Sequence, residues 1–176
     1  MFATEIRKRR VQGMRSSHWR WHLDEVFVKI NGERHYLCRA VDHEGEVLES
    51  FVTKSRDKKA ALEFLKKSLK RHGRAEEIVT DRLRSYGAAL RELGIGDKQQ
   101  TGRWANNRAE NSHQPFRRRE GQRMLRFRRM RTLQKFAAVH ASVQNHFNQE
   151  SALYSRQNFK LNRAAALSEW RCLCAA

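Results

Sequence analysis

The first half of the chain alternates between apolar and polar residues, and this pattern predicts β-strands. Between positions 22 and 30 the even-numbered residues, Asp24 among them, share one face of a strand and the odd-numbered residues share the other. Asn31-Gly32 then provides the two-residue type I′ turn of a hairpin. Strands over 33–42 and 47–53 follow, so the pattern predicts a three-stranded antiparallel meander.

The spacing of the apolar residues then changes to that of a helix. A helix is predicted from residue 57 to Gly73, because glycine commonly ends helices. A short strand over 76–80 comes next, and a second helix ends at Gly94. The order βββαβα, with a fifth short strand near 98–102, indicates an α/β domain.

The second half of the chain is predicted to be helical. A helix over 106–114 is interrupted or kinked at Pro115, which lacks the backbone N–H that a helix uses. A long helix then begins after Thr132 as its N-cap, and a last helix is predicted in the tail. The buried stripe of the long helix is expected to consist of Leu133, Phe136, His140, Val143 and Phe147.

The composition describes a basic, folded protein. Of the 176 residues, 37 are Lys or Arg and 19 are Asp or Glu, which gives a formal net charge of +18. Apolar residues make up 39%, enough for a core, so disorder of the whole chain is excluded. The three cysteines form no disulfide framework or CxxC metal pair, and no secretory signal or membrane-spanning run is found. A cytoplasmic protein is therefore expected.

The net charge favours a polyanionic partner. Nucleic acid is the commonest such partner for a basic protein of this size. An anionic membrane surface would instead require an amphipathic basic helix with an aromatic face, and the sequence shows no obvious one. We therefore expect nucleic acid, and no membrane, as the partner.

Two aspartates stand at positions that suit a metal-ion site. Asp24 lies on the apolar face of its strand, at the rim of a core, where an unpaired carboxylate requires a cation. Asp81 directly follows an apolar strand, at the carboxyl end where α/β sheets often place their sites. Carboxylate oxygens suit a hard cation such as Mg²⁺.

Glu110 is the third candidate, because its face of the helix is polar. Asn106, Asn107, His113 and Arg117 lie three, four or seven residues from it. Such a face can hold a metal ion through its carboxylate and a DNA phosphate through its other groups. The residues alone also allow ordinary roles: an exposed strand position for the first acid, a helix N-cap for the second and a surface ion pair for the third.

Several segments, taken in order, resemble the catalytic region of bacterial insertion-sequence transposases, specifically those of insertion-sequence family six. The resemblance extends from about residue 20 to residue 150. It rests on Trp21-His22-Leu23-Asp24-Glu25, Asn31-Gly32 with His35-Tyr36-Leu37, Arg39-Ala40-Val41-Asp42, Val79-Thr80-Asp81, Asn106-Asn107-Arg108-Ala109-Glu110-Asn111-Ser112-His113, and Phe127 in an arginine-rich run.

The resemblance implies an RNase H-like fold, with a mixed sheet flanked by helices, and the activity of a DDE transposase. Asp24, Asp81 and Glu110 would form its acidic triad and bind two Mg²⁺ or Mn²⁺ ions for DNA strand cleavage and transfer. Transposon ends and target DNA would be the partners. A homodimer or larger assembly on DNA is expected, in the bacterial cytoplasm and associated with the nucleoid.

The resemblance also sets the expected domain organisation. Members of the family begin with a helix-turn-helix segment, for which this chain has no room before Asp24. We interpret 1–20 as a basic arm left from the linker to that segment, 21–150 as the catalytic domain and 151–176 as a helical tail. The alternatives are a truncated, inactive DNA-binding remnant and a basic RNA-binding structural protein. The second of these explains the charge but not the order of the three acids.

DNA is expected to contact an arginine-rich run over 116–131, in which eight arginines accompany one acid, Glu120. This density favours phosphate contacts and strongly salt-dependent binding. With the polar face of the preceding helix included, the expected DNA-contacting residues are Asn106, Asn107, His113, Arg117, Arg118, Arg119, Arg123, Arg126, Arg128 and Arg129.

Overall fold

The chain forms a mixed β-sheet with helices packed along it. The computed structural model describes residues 20–43, 45–81, 83–102, 105–123, 127–147 and 155–175, without the side chains of 108, 118–123, 173 and 174. The strands are β1 (Arg20–Ile30), β2 (Glu33–Asp42), β3 (Val47–Thr53), β4 (Glu77–Thr80) and β5 (Gln99–Thr101). The helices are α1 (Lys58–His72), α2 (Arg84–Glu92), a short 3₁₀ helix (Gly96–Lys98), α3 (Asn107–Arg123), α4 (Met130–Phe147) and α5 (Arg156–Ala175).

The strand order in the sheet is β3-β2-β1-β4-β5. β1 pairs with β2 and β2 with β3, both antiparallel, which confirms the predicted meander. β4 pairs in parallel with β1, and β5 pairs in parallel with β4. Asn31 and Gly32 have φ angles of 51° and 83°. A type I′ turn requires positive φ at both central residues, and these two residue types tolerate it best. The meander followed by parallel strands is the architecture expected for an RNase H-like domain.

Because side chains alternate across a strand, β1 contributes to an apolar core on each face of the sheet. On one face Trp21 and Leu23 pack with residues of α1 and α2, among them Phe64 and Leu90. On the other face the core contains Val26, Val28 and Ile30 of β1, with Phe116 of α3 and Leu133 of α4. Asp24 belongs to this second face, so it lies at the edge of an apolar core, as predicted.

Local signals at the ends of α1 are confirmed. The side chain of Asp57 accepts a hydrogen bond from the backbone N–H of Ala60 at 2.8 Å and so caps the first turn. At the other end Gly73 has a φ of 78° and its N–H donates to the carbonyl of Leu69. A residue with a Cβ would be strained at that φ. Glycine adopts it without strain, so the backbone can leave the helix at this position.

Two local predictions about the later helices were wrong. Thr132 is not an N-cap: α4 begins at Met130, and the carbonyl of Arg129 already accepts hydrogen bonds from the N–H groups of Thr132 and Leu133. Pro115 does not interrupt its helix, because α3 continues through it to Arg123. The following residue, Phe116, is fully buried, so tertiary packing holds the helix together across the missing hydrogen bond.

Helix α4 also protects the edge strand of the sheet. The side-chain oxygen of Gln134 accepts a hydrogen bond from the N–H of Val52 at 2.8 Å, and its amide nitrogen donates to the carbonyl of Ser50 at 2.7 Å. These two bonds occupy a donor and an acceptor on β3 that a sheet edge would otherwise leave open.

The chain divides into two compact units, one over residues 16–137 and a second made mainly of residues 138–176. Within the second unit, Nε2 of His146 lies 2.8 Å from the carbonyl oxygen of Ala166, within hydrogen-bond distance. The rings of Phe147 and Trp170 are 5.4 Å apart. The predicted basic arm over 1–20 lies, except for Arg20, outside the described residues.

Candidate active site

The sheet brings two of the three predicted acids side by side. β1 and β4 are parallel, and the last paired residues are Leu23 and Thr80. Asp24 and Asp81 are the next residues on the two chains, and neighbouring strands lie about 4.8 Å apart. Asp81 does not cap α2, since Leu83 holds that position and its N–H donates to Asp81 Oδ1 at 3.1 Å.

Helix α3 crosses the sheet directly over Asp24. Asn106, which immediately precedes the helix, donates from Nδ2 to the carbonyl of Leu23 at 2.8 Å. One and a half to two turns later, His113 Nε2 lies 3.4 Å from Asp24 Oδ2. Glu110 lies between these two contact residues on the same helix face, four residues after one and three before the other. The third predicted acid is therefore carried by the helix segment that contacts β1 at Leu23 and Asp24.

The pKa of Asp24 reflects its burial and the charges around it. Its side chain is only 15% exposed. Burial, reinforced by the negative charges of Asp81 and Glu110, raises the pKa of Asp24 to about 7. Two cations, Arg117 and Arg56, act in the opposite direction but do not offset the increase. Asp24 is therefore partly protonated near neutral pH in the absence of a further cation.

Arg56 brings a positive charge to the rim of the site from the loop between β3 and α1. Its Nη2 lies 3.6 Å from Asp81 Oδ2, and its Nε pairs with the carboxylate of Glu25. Glu25 lies on the opposite face of β1 from Asp24 and its side chain is only 6% exposed. The guanidinium thus links a buried carboxylate beneath the sheet to one of the candidate catalytic acids.

His113 takes part as a neutral group. Its side chain is 1% exposed. Burial, together with the positive charges of Arg39 and Arg117, lowers the pKa of His113 to about 3. The imidazole beside Asp24 is therefore uncharged at neutral pH, and their contact is not an ion pair.

Two of the predicted DNA-contacting residues are corrected by this geometry. Asn106 and His113 are 4% and 1% exposed, and they contact β1. Helix α3 places them on the side that faces the sheet, so they position the site and do not present their polar groups to a phosphate. Asn107 and Arg117, in contrast, are exposed.

The predicted arginine-rich surface is described only in part. Arg117 lies close enough to lower the pKa of Asp24. Arg128 and Arg129 are exposed, and the carbonyl of Arg128 accepts a hydrogen bond from Asn31 in the hairpin turn. That turn is seven residues beyond Asp24, roughly 23 Å along the strand. The side chains of Arg118, Arg119 and Arg123, and the whole of Arg126, lie outside the described residues.

Arg39 and Arg56 are near the site but had no predicted role. The sequence carries a signal for Arg39: it lies on the same strand face as the apolar residues Leu37 and Val41, and such positions rarely take a charge without a specific reason. Arg56 lies in a polar loop segment, where nothing in the sequence distinguishes it from other surface arginines.

The donor set suits a divalent cation. Three carboxylates supply hard oxygen ligands. Burial, followed by the negative charges of Asp81 and Glu110, raises the pKa of Asp24, and a bound cation would offset these effects. In the described part of the chain, no three Asp, Glu, His or Cys side chains are already gathered tightly enough to hold an ion together. Glu110 is exposed, so its side chain has room to change rotamer towards the aspartates.

No helix in the described residues has the length and apolar character needed to cross a membrane.

Comparison with known families matches residues 18–150 of this chain to a family described as "DDE domain". Two similar curated proteins come from Staphylococcus aureus: the transposase for insertion sequence-like element IS431mec and the transposase for insertion sequence element IS257 in transposon Tn4003. Each is 31% identical over 104 residues, which cover 56% of this chain and 46% of the relative. The chain thus spans less than half the length of these relatives.

Solved structures show the same fold at low sequence identity. The HTLV-2 integrase catalytic core domain in complex with magnesium, in its trimeric form, has a TM-score of 0.57 and 14% identity, covering 81% of this chain and 95% of that one. The dimeric form of the same core gives a TM-score of 0.55, also at 14% identity, over 75% of this chain and 88% of that one. The architecture is therefore an RNase H-like fold.

Proposed function

The chain belongs to the DDE domain family of transposases, of the type found in insertion-sequence family six, and we propose that it carries the catalytic site for DNA strand cleavage and transfer. The observation that supports this most directly is the meeting of Asp24, Asp81 and the Glu110 face of α3 at one point of the sheet. Residues 21–150 form the catalytic domain in this proposal, with 151–176 as a helical tail.

Mg²⁺ or Mn²⁺ is the proposed cofactor, held as two ions by Asp24, Asp81 and Glu110. Such a pair supplies an activated attacking oxygen and stabilises the leaving oxygen at a phosphodiester. Residues of the chain itself favour binding of these positive charges. Because the pKa of Asp24 is raised, its carboxyl group would lose a proton when a cation bound there. His113 and Asn106 fix the relative position of β1 and α3.

DNA is the proposed substrate, as transposon ends and as target. The net charge of +18 attracts a polyanion at long range. Close to the acids, Arg117 is exposed and its positive charge lowers the pKa of Asp24, which supports a role in pairing with the reacting phosphate. The same proposal includes two further points. The protein acts on DNA as a homodimer or larger assembly, and it does so in the cytoplasm, associated with the nucleoid.

The test is strand transfer of a pre-cleaved, fluorescent DNA end into plasmid, at low salt with Mn²⁺ or Mg²⁺. Asp81→Asn should abolish joining and leave salt-sensitive DNA binding in place. Asp97→Asn is the matched control, because Asp97 is an exposed acid on the 3₁₀ helix, and it should join DNA like the unchanged protein. Metal-independent joining, or full joining by the Asp81 variant, would contradict the proposal. DNA binding without any joining would favour an inactive DNA-binding remnant.

A further inference from the structure

Arg39 is a buried cation next to the candidate active site. In the antiparallel pairing of β1 and β2 it lies directly opposite Asp24, so the two side chains share one face of the sheet. Its side chain is among the largest that the structure buries completely, at 0% exposure. Both neighbours on that face of β2, Leu37 and Val41, are apolar and buried.

The guanidinium of Arg39 holds helix α3 at two successive turns. Its Nη1 donates a hydrogen bond to the backbone carbonyl of Ser112. Its Cζ lies 5.5 Å from the centre of the Phe116 ring, one turn further along the helix, in a cation–π contact. A single side chain from the sheet therefore grips both the backbone and a core side chain of α3.

Stability does not explain an arginine at this position. Arg39 has no carboxylate partner among the described residues, and its Nε and Nη2 lack hydrogen-bond partners there. A buried charge with unsatisfied donors is costly, and an apolar side chain of similar length is often neutral or stabilising in such a place. The benefit of the guanidinium must therefore lie in what it holds.

The two anchors of α3 are on either side of Glu110. Asn106, four residues before it, is bonded to the carbonyl of Leu23, which adjoins Asp24 in sequence. Ser112, two residues after it, is bonded to Arg39, which adjoins Asp24 across the sheet. Both anchor points on the sheet are thus immediate neighbours of the first candidate metal ligand.

We propose that Arg39 is a positioning residue that fixes α3, and with it Glu110, at the distance from Asp24 that binding of a divalent cation requires. The inference rests on the proposed function. It assigns Arg39 no contact with DNA or metal; the residue acts through the helix. Groups that orient metal ligands without touching the ion typically change metal affinity about 10- to 100-fold when they are removed.

The test measures Mn²⁺ affinity of the full chain by titration calorimetry at pH 8, with urea unfolding and hydrogen exchange of the α3 amides in parallel. In Arg39→Met, which keeps the length and removes the charge, we expect at least a tenfold loss of Mn²⁺ affinity and faster exchange in α3. The urea midpoint should not fall. Arg39→Lys can still reach the Ser112 carbonyl but loses the planar stack on Phe116, so an intermediate loss of about threefold is expected.

Arg71→Met is the matched control. Arg71 on α1 pairs with Glu49 at 2.5 Å, on the other side of the sheet from α3, so its loss should leave Mn²⁺ affinity unchanged. If the unchanged protein binds no Mn²⁺, the proposed function fails, whatever the variants do. If it binds Mn²⁺ and Arg39→Met binds equally well, the inference about Arg39 fails alone. Should the methionine variant not fold, unchanged affinity and α3 exchange in Arg39→Lys would overturn the inference.

Discussion

The surroundings of Asp24 disfavour its charged form and therefore cost the metal-free fold stability at neutral pH. Its carboxyl group is largely buried beside two other acids, and its nearest neighbour on α3 is a neutral histidine. A site arranged for folding alone would place a cation or an apolar group there. Strongly shifted pKa values of this origin are common where a protein prepares to bind a cation or to transfer protons.

Asp24→Asn should therefore stabilise the metal-free protein, by an amount that grows as the pH rises from about 4 through 7. The pKa of Asp24 is raised from 3.8 to about 7 in the folded state, so the folded chain binds the proton more tightly. Its contribution to stability is fully present below pH 4 and is lost as the pH rises through 7. With a chelator present, we expect the variant to be more stable by up to about 4 kcal/mol at pH 8 and equal to the unchanged protein at pH 3.5.

Urea unfolding at the two pH values measures this difference, with Asp97→Asn as the control for a general effect of net charge. A variant that is less stable at pH 8 would mean that the surroundings of Asp24 stabilise its charged form, which would contradict the raised pKa. Addition of Mn²⁺ should reverse the order of stability, since only the unchanged protein keeps all three ligands.

Helix α3 is the element on which the site depends. Its docking uses polar contacts to the sheet, at Asn106 and Arg39, in addition to the apolar contact of Phe116. α4 docks beside it in a comparable way, with two hydrogen bonds from Gln134 to β3. The two helices therefore offer a matched comparison, because only one of them carries a candidate metal ligand.

Asn106→Ala and Gln134→Ala should have similar costs in stability and different effects on metal binding. Each removes side-chain hydrogen bonds to backbone groups of the sheet, so each should destabilise the fold by about 1–2 kcal/mol in urea unfolding. Mn²⁺ affinity, measured by calorimetry, should fall several-fold in Asn106→Ala alone. Equal Mn²⁺ affinity in the two variants would show that the docking of α3 does not set the position of Glu110.

At the scale of the whole molecule, the most prominent property is the large positive net charge. A formal charge of +18 on 176 residues is a long-range attraction for polyanions, whatever the details of the site. Within the predicted DNA-contacting set, the described exposed arginines are Arg117, near the acids, and Arg128 and Arg129, near the hairpin turn. A DNA footprint that reached from one to the other would extend well beyond the reacting phosphate.

Replacement of both Arg128 and Arg129 by Ala should make DNA binding less dependent on salt. If both contact phosphates, the slope of log K against log salt should become less steep by about 1.8. Fluorescence anisotropy across a salt series measures the slope. The control is Lys66→Ala with Lys70→Ala, two exposed cations on α1 at the opposite face of the sheet. An equal change in the control would mean that DNA has no preferred face on this protein.

The sequence by itself determined those features that depend on near neighbours in the chain. The bounds of β2 and β3 were predicted as the structure shows them, because strand alternation and turn residues are local. Asn31-Gly32 and Gly73 mark their turn and helix end through backbone preferences that need no tertiary contact. The three acids were placed on the right elements for the same reason, and the order of the motifs indicated the family.

Tertiary structure decided what the helices do at the sheet. Local rules expected α3 to be interrupted or kinked at Pro115 and α4 to begin after Thr132. Instead α3 continues past Pro115, where the next residue, Phe116, is fully buried, and α4 begins at Met130. The docking direction of α3 also turned Asn106 inwards, towards the sheet, and enclosed Arg39 beneath it. These contacts join residues more than 70 positions apart, so their geometry is fixed by packing across the sheet and not by any pattern along the chain.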